Sequence, residues 1–211
     1  MYKLSSNKVV QKVSIIRKLI PLTVYLRKKR SLVVSRYSFG RVLDIGCGPA
    51  EIVHYFPEQN KVKYTGIDTN KIEIYGLQKK YPTFNFYWAD VDKQDLPDQV
   101  VSQNFDTVLL IAVIEHLKSP EKLLNQLSKL VKNGGKLIMT TATPVGEHVH
   151  NLLALFGLTS FEAILEHKTS AHASYSMKQL SNLVKPFGFE LKKQQKFELG
   201  LNQVTVFVKI N

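Results

Sequence analysis

The stretch Val42-Leu43-Asp44-Ile45-Gly46-Cys47-Gly48-Pro49-Ala50 decides the fold. An apolar, β-forming run closes on an acid and breaks into Gly46-Cys47-Gly48. It restarts as a helix with Pro49 at a favourable early position. A strand that ends in a glycine-rich turn before a helix lets backbone amides approach a ligand, with the helix N-terminus behind them. The stretch points to a nucleotide-like cofactor. The third glycine of a dinucleotide fingerprint is replaced by Ala50, which weakens a nicotinamide reading.

The chain alternates from there onward. Val42 to Ile45, Lys61 to Ile67, Phe84 to Trp88, Phe105 to Ile111 and Lys136 to Thr141 read as strands. Pro49 to Phe56, Asn70 to Lys80 (capped by Thr69 or Asn70) and Pro120 to Val131 read as helices, the last stopped by Asn133-Gly134-Gly135. Strands separated by helices predict a doubly wound α/β sheet. After a stretch with no clear strand, Ser176 to Phe187 reads as a helix. Phe189 to Lys196 and Gln203 to Ile210 read as a closing hairpin.

Acids fall at the strand ends where such sheets bind ligands. Asp68 closes the second strand, 24 residues after Asp44, and a carboxylate there can accept both hydroxyls of a ribose. Asp90 closes the third, and the segment Ile111-Ala112-Val113-Ile114-Glu115-His116 follows the fourth.

Bulk properties bound the rest. The 211 residues suit one domain, and a hydrophobic fraction of 44% supplies a core. One cysteine, Cys47, excludes a disulfide framework within the chain and fits a reducing, cytoplasmic setting. It reads as a small turn residue, with no base placed beside it by sequence. No apolar run reaches the roughly 18 residues a membrane span requires, and the polar, lysine-bearing start argues against a secretory signal. The net charge of +12 is uneven: residues 1–43 hold 11 Lys/Arg and no Asp/Glu, so the remainder is nearly neutral.

Residues 1–39 are therefore expected to be a basic helical arm, and 40–211 the cofactor domain. Val9, Val13, Ile16, Leu19 and Ile20 follow helical spacing up to Pro21, and Arg27-Lys28-Lys29-Arg30 precedes a second short helix. Packing over the cofactor cleft or lying on an anionic membrane surface suits the arm. Nucleic acid ranks behind both, because the body of the sequence shows no interleaving of aromatic and basic residues. An organellar presequence is a fourth reading.

With these residues in view, the chain resembles a class I S-adenosylmethionine-dependent methyltransferase of the small-molecule type. VLDIGCGPA (42–50), YTGID (64–68), WAD (88–90), FDTVLLIAVIEHL (105–117) and NGGKLIMTTATP (133–144) match that family's motifs in order. The resemblance covers roughly residues 40 to 145. It implies a Rossmann-like, seven-stranded, mostly parallel sheet with an antiparallel closing strand.

It also implies roles. Gly46, Cys47 and Gly48 would face the methionine moiety, with Asp44 polarising its ammonium. Asp68 would take the ribose hydroxyls beside Thr69. Asp90 would accept from the adenine amino group, with Val91 supplying a backbone contact. Ile111 and Ala112 would lie under the methionine end. His116, His148 and His172 are the candidate bases, with Tyr175 as a hydrogen-bond partner. A metal on Glu115 and His116 is not expected, because the position that supplies an acid in some relatives is Ala112; His148 and His150 do not share a helix face. Leu152 to Phe156, with Phe161 and Leu165, would cap an apolar acceptor pocket within 145–175.

The expected activity is methyl transfer to a small or lipid-like acceptor, at oxygen. Alternatives are an RNA-directed methyltransferase, a non-catalytic cofactor-binding partner protein recruited by the arm, and a nicotinamide oxidoreductase. The Asn/Asp-Pro-Pro-aromatic tetrad of enzymes that methylate amino groups on adenine or glutamine is missing after the fourth strand.

Overall fold

The computed structural model describes residues 24–146, 148 and 175–210. Seven strands form one sheet: β1 (Arg41–Ile45), β2 (Lys63–Asp68), β3 (Asn85–Trp88), β4 (Phe105–Ile111), β5 (Val131–Ala142), β6 (Phe189–Phe197) and β7 (Asn202–Lys209). Their order is β3-β2-β1-β4-β5-β7-β6. Every pairing is parallel except those of β7, which runs antiparallel to both β5 and β6. This is the mostly parallel, Rossmann-like sheet with an antiparallel closing strand that the sequence implies.

Two apolar layers cover the sheet because successive side chains point to opposite faces. On one face, Leu43, Ile45, Val108, Leu110, Leu137 and Met139 pack against α3 (Asp98–Val101), α4 (Pro120–Leu130) and α5 (Met177–Val184). On the other, Val42, Tyr64, Leu109 and Ile138 pack against α1 (residues 24–35), the 3₁₀ turn Glu51–Tyr55 and α2 (Lys71–Lys80). Period two thus sends Asp44 to the same face as Val42, into an apolar layer.

Local chemistry sets the element ends. Asn70, not Thr69, caps α2: its Oδ1 accepts from the amides of Ile72 and Glu73 at 3.1 and 3.2 Å. Ser176 caps α5 reciprocally with Gln179, whose Oε1 accepts the Ser176 amide at 2.8 Å.

Three expectations are corrected. The helix read at Pro49 to Phe56 is a single 3₁₀ turn, entered through Ala50 at φ 53°. The basic run Arg27–Arg30 lies inside α1 and does not precede a helix. Asn133-Gly134-Gly135 does not separate helix from strand, because β5 runs through it as a bulge: Phe105 pairs with Val131, and Thr107 next with Lys136. Gly134 takes φ +75° there. The helix expected between Val9 and Ile20, the cap around residues 152–165, and His150 and His172 lie outside the described residues.

Among the described residues no helix is long and apolar enough to cross a membrane. Part of the basic arm belongs to the core, since Val33 and Val34 of α1 are buried. Val34→Ala should lower the unfolding free energy by about 2 kcal/mol, as a buried large-to-small change does. Urea denaturation measures it, and an unchanged midpoint would mean that α1 does not dock.

Candidate cofactor site

The carboxyl ends of β1 and β4 meet α1 around a cleft of about 260 Å³. Asp44, Gly46, Cys47, Gly48 and Ile111 line it from the sheet side; Asp68, Thr69, Asp90, Val91 and Ala112 of the expected set are not in its lining. Arg27, Arg30 and Ser31 line it from α1, and Glu51 and Ile52 from the 3₁₀ turn. The three α1 residues were not legible as site residues. Their only signal is the acid-free basic run, which does not show where the helix docks.

The turn is shaped by close packing. The Gly46 and Cys47 amides both donate to the Ile67 carbonyl, at 2.8 and 3.0 Å. Gly46 sits at φ +70°, and a Cβ there would lie 2.5 Å from Val113 Cγ2. Gly48, at φ +48°, would meet nothing within 4 Å. One glycine is therefore required by the protein's own packing, and the other leaves an open approach to backbone.

Asp44 is 2% exposed. The Tyr64 hydroxyl donates to its Oδ2 at 2.7 Å, and its Oδ1 has no hydrogen-bond partner. Burial pushes the Asp44 carboxyl up to about 7; the Tyr64 bond pulls it down and the charge of Asp68 raises it. A cationic group entering the cleft would restore the charged form. Arg30 Nε is also buried without a partner. An orphaned acid and an orphaned guanidinium nitrogen suit the ammonium and carboxylate of an amino acid. Burial also pushes the Cys47 thiol well up, which keeps it protonated and makes it lining.

Asp68 is held by backbone. Gly48 N donates to its Oδ2 and Asn70 N to its Oδ1, both at 2.8 Å. Each oxygen keeps acceptor capacity for a ribose hydroxyl. The Thr69 carbonyl accepts the Trp88 indole N–H at 2.8 Å. Asp90 pairs with Lys93 at 2.6 Å, and that bond holds its carboxyl below the usual range. An adenine amino group would share or replace that exposed lysine. Val91 is buried.

At the β4 end, Ala112 adopts φ +54° while its amide donates to Thr140 Oγ1 and to the Thr140 carbonyl, both at 3.1 Å. This non-glycine outlier turns the chain sharply into the Ile114–His116 3₁₀ turn. Glu115 is half-buried as a residue, but its carboxylate end is interior and Oε2 has no partner. Burial pushes it up to about 7, with the Arg30 charge opposing. Burial is also the leading cause of the raised Tyr175 phenol, and the Glu115 charge adds to it. His116 is half-buried in the same turn, whereas His148 is exposed.

The family described as "Methyltransferase domain" matches residues 17–194. The chain belongs to the S-adenosylmethionine-dependent class I methyltransferases. Curated relatives include tRNA U34 carboxymethyltransferases of Pseudomonas savastanoi pv. phaseolicola, 30% identical over 116 residues, and of Idiomarina loihiensis, 26% over 113. These matches cover 54% and 51% of this chain but only 35% and 34% of those proteins. The chain thus spans about a third of the length of these curated relatives.

Among solved structures, an S-adenosylmethionine-dependent methyltransferase from Clostridium acetobutylicum superposes with TM-score 0.64 at 10% identity, covering 96% of this chain and 99% of that one. Magnesium protoporphyrin IX methyltransferase from Synechocystis, with bound SAH, gives 0.60 at 16%, covering 93% and 86%. Both likenesses concern the fold.

The methyltransferase's free chain carries two carboxyls raised to about 7. Each contributes stability that is present below the ordinary carboxylate range and lost as pH rises toward 7. Cofactor binding runs the other way, because an ammonium favours ionised Asp44. Affinity for S-adenosylmethionine should climb as pH rises to about 7. Tyr64→Phe removes the bond that lowers the Asp44 pKa and should move that climb to higher pH; calorimetric titration across pH reads the midpoint, and an unmoved one would exclude Asp44. Asp68→Ala should weaken binding about 10-fold or more, given roughly 1.5–3 kcal/mol for each hydrogen bond to a charged group. Unchanged affinity would place the ribose elsewhere.

Proposed function

We propose that this methyltransferase transfers the methyl group of S-adenosylmethionine to an oxygen of a small or lipid-like acceptor, with Glu115 taking the acceptor's proton. The observation that carries the reading is the interior Glu115 carboxylate end, with its unpartnered Oε2 and a pKa raised to about 7. A base poised near ambient pH suits proton transfer from a hydroxyl. Glu115 is proposed as the base in place of His116 and His148; His172 lies outside the described residues.

The bound cofactor supplies a sulfonium-activated methyl group. The chain's residues orient and exclude. Asp44 and Arg30 hold the amino-acid end, Asp68 fixes the ribose, and Ile111 keeps one wall apolar. Alignment of nucleophile, methyl and sulfur is the main contribution such a site makes, up to roughly 7–11 kcal/mol. In balance, an O–C bond forms and the S–C bond breaks. Its electron pair stays on sulfur, and the hydroxyl proton passes to Glu115.

A second reading, an RNA acceptor, is favoured by the tRNA-modifying relatives that match half of the chain. Labelled S-adenosylmethionine incubated with an organic extract of the source cells, and separately with their RNA, distinguishes the two by the fraction that acquires label. On the first reading, at saturating S-adenosylmethionine, Glu115→Gln should lower the transfer rate about 10²–10⁴-fold, abolish its rise through pH 7 and leave cofactor affinity unchanged. A variant as fast as the parent would remove Glu115 from the chemistry.

A further inference from the structure

The layer that carries the cofactor cleft continues outward into a surface that the methyl-transfer reading does not use. Trp88 ends the edge strand β3, and α2 lies beside it. Lys71, Tyr75 and Lys79 follow one another at four-residue spacing on α2 and so share a face. Lys71 Nζ sits 4.2 Å from the Trp88 ring centroid, and Lys79 Nζ 4.2 Å from that of Tyr75. Lys80 Nζ is 4.8 Å from the Tyr81 ring.

Tyr81 packs against the core, but Tyr75 and Trp88 are not core residues that happen to touch lysine. Tyr75 is 61% exposed and Trp88 40%, and neighbouring Ile72 is 85% exposed. Large apolar groups and cations therefore alternate along the outside of one helix, over about 12 Å from Lys71 to Lys79 at helical rise. Lys71, Tyr75 and Lys79 are already interleaved in the sequence at helical spacing, contrary to the expectation of no such pattern in the body of the chain, and the β2–β3 pairing adds Trp88 to them.

We infer that the α2–β3 face, Trp88-Lys71-Tyr75-Lys79, binds single-stranded RNA. Exposed rings offer stacking platforms to unpaired bases of any sequence, and lysines beside them meet the phosphates. In the free chain each ammonium rests on a ring. A base stacking there displaces it toward the adjoining phosphate, so the charge is kept and the ring face is shared out anew. A lipid surface would ask for a continuous apolar stripe, whereas here cations cover the rings. RNA, rather than a DNA strand, suits a chain whose relatives are named for modifying tRNA. The surface starts at the cofactor site, because the Trp88 indole donates to Thr69 beside Asp68. The inference concerns binding and stands whichever acceptor receives the methyl group.

Trp88 is the chain's sole tryptophan, so its emission reports on this face alone. The test titrates the full chain with a short oligouridine, following Trp88 emission and the anisotropy of labelled RNA. Quenching that saturates with the anisotropy change is expected. Tyr75→Ser should weaken binding about tenfold. Lys71→Ala with Lys79→Ala should flatten the slope of log affinity against log salt by about 1.4, at roughly 0.7 per phosphate contact. Lys122→Ala, on α4 across the sheet, should change neither. RNA held only by the basic residues before α1 would bind without quenching Trp88 or responding to Tyr75→Ser, and that result overturns the inference. So would absence of binding, or equal affinity and quenching with double-stranded RNA. None of these outcomes depends on methyl transfer, so they leave the acceptor question to the labelling experiment.

Discussion

The site rests on the hydrogen bond from Tyr64 to Asp44. Strand alternation forces Asp44 into a layer otherwise built from Val42, Leu109 and Ile138. A carboxylate there would be strongly disfavoured without a donor. Tyr64 satisfies one oxygen, while the rings of Phe56, Phe84 and Phe86, all 5.7–5.9 Å from the Tyr64 ring, hold the phenol in place. The other oxygen stays unpaired on a residue that lines the cleft. An aromatic cluster that looks like ordinary packing thus maintains a charge-sensitive group beside the cofactor cleft.

Glu115 owes its placement to a different device. Ala112 takes a left-handed conformation that a side chain usually avoids, and Thr140 on the neighbouring strand anchors its amide twice. The sheet thereby stabilises a turn that sends the Glu115 carboxylate end inward. Strain at the end of β4 and an unsatisfied acid one turn later are parts of the same arrangement.

Much of this was legible in the sequence. The acids at or near the carboxyl ends of three strands follow from local pattern, although only Asp68 ends its strand: Asp44 lies inside β1, which runs to Ile45, and Asp90 lies two residues beyond β3. What stayed hidden required distance information. Arg30 is an unremarkable member of a basic run until α1 folds over Gly46–Gly48. Tyr64 reads as a strand aromatic until its hydroxyl meets a residue on β1. The bulge at Asn133-Gly134-Gly135 has the composition of a helix stop, and only the register of β4 against β5 shows the chain continuing as strand.

The placement of α1 joins two properties that the sequence keeps apart. Arg27 and Arg30 belong at once to a basic run, in which Arg27 is exposed and Arg30 half-buried, and to the wall of the cofactor cleft. A charge shared in this way obeys thermodynamic reciprocity. If these guanidinium groups hold the cofactor's carboxylate as proposed, an external anion that drew them outward would cost the cofactor its counter-charge, and bound cofactor would weaken the anion by the same factor. On that proposal the arm would not be an independent tether: whatever gripped it would also set how tightly the methyl donor is held.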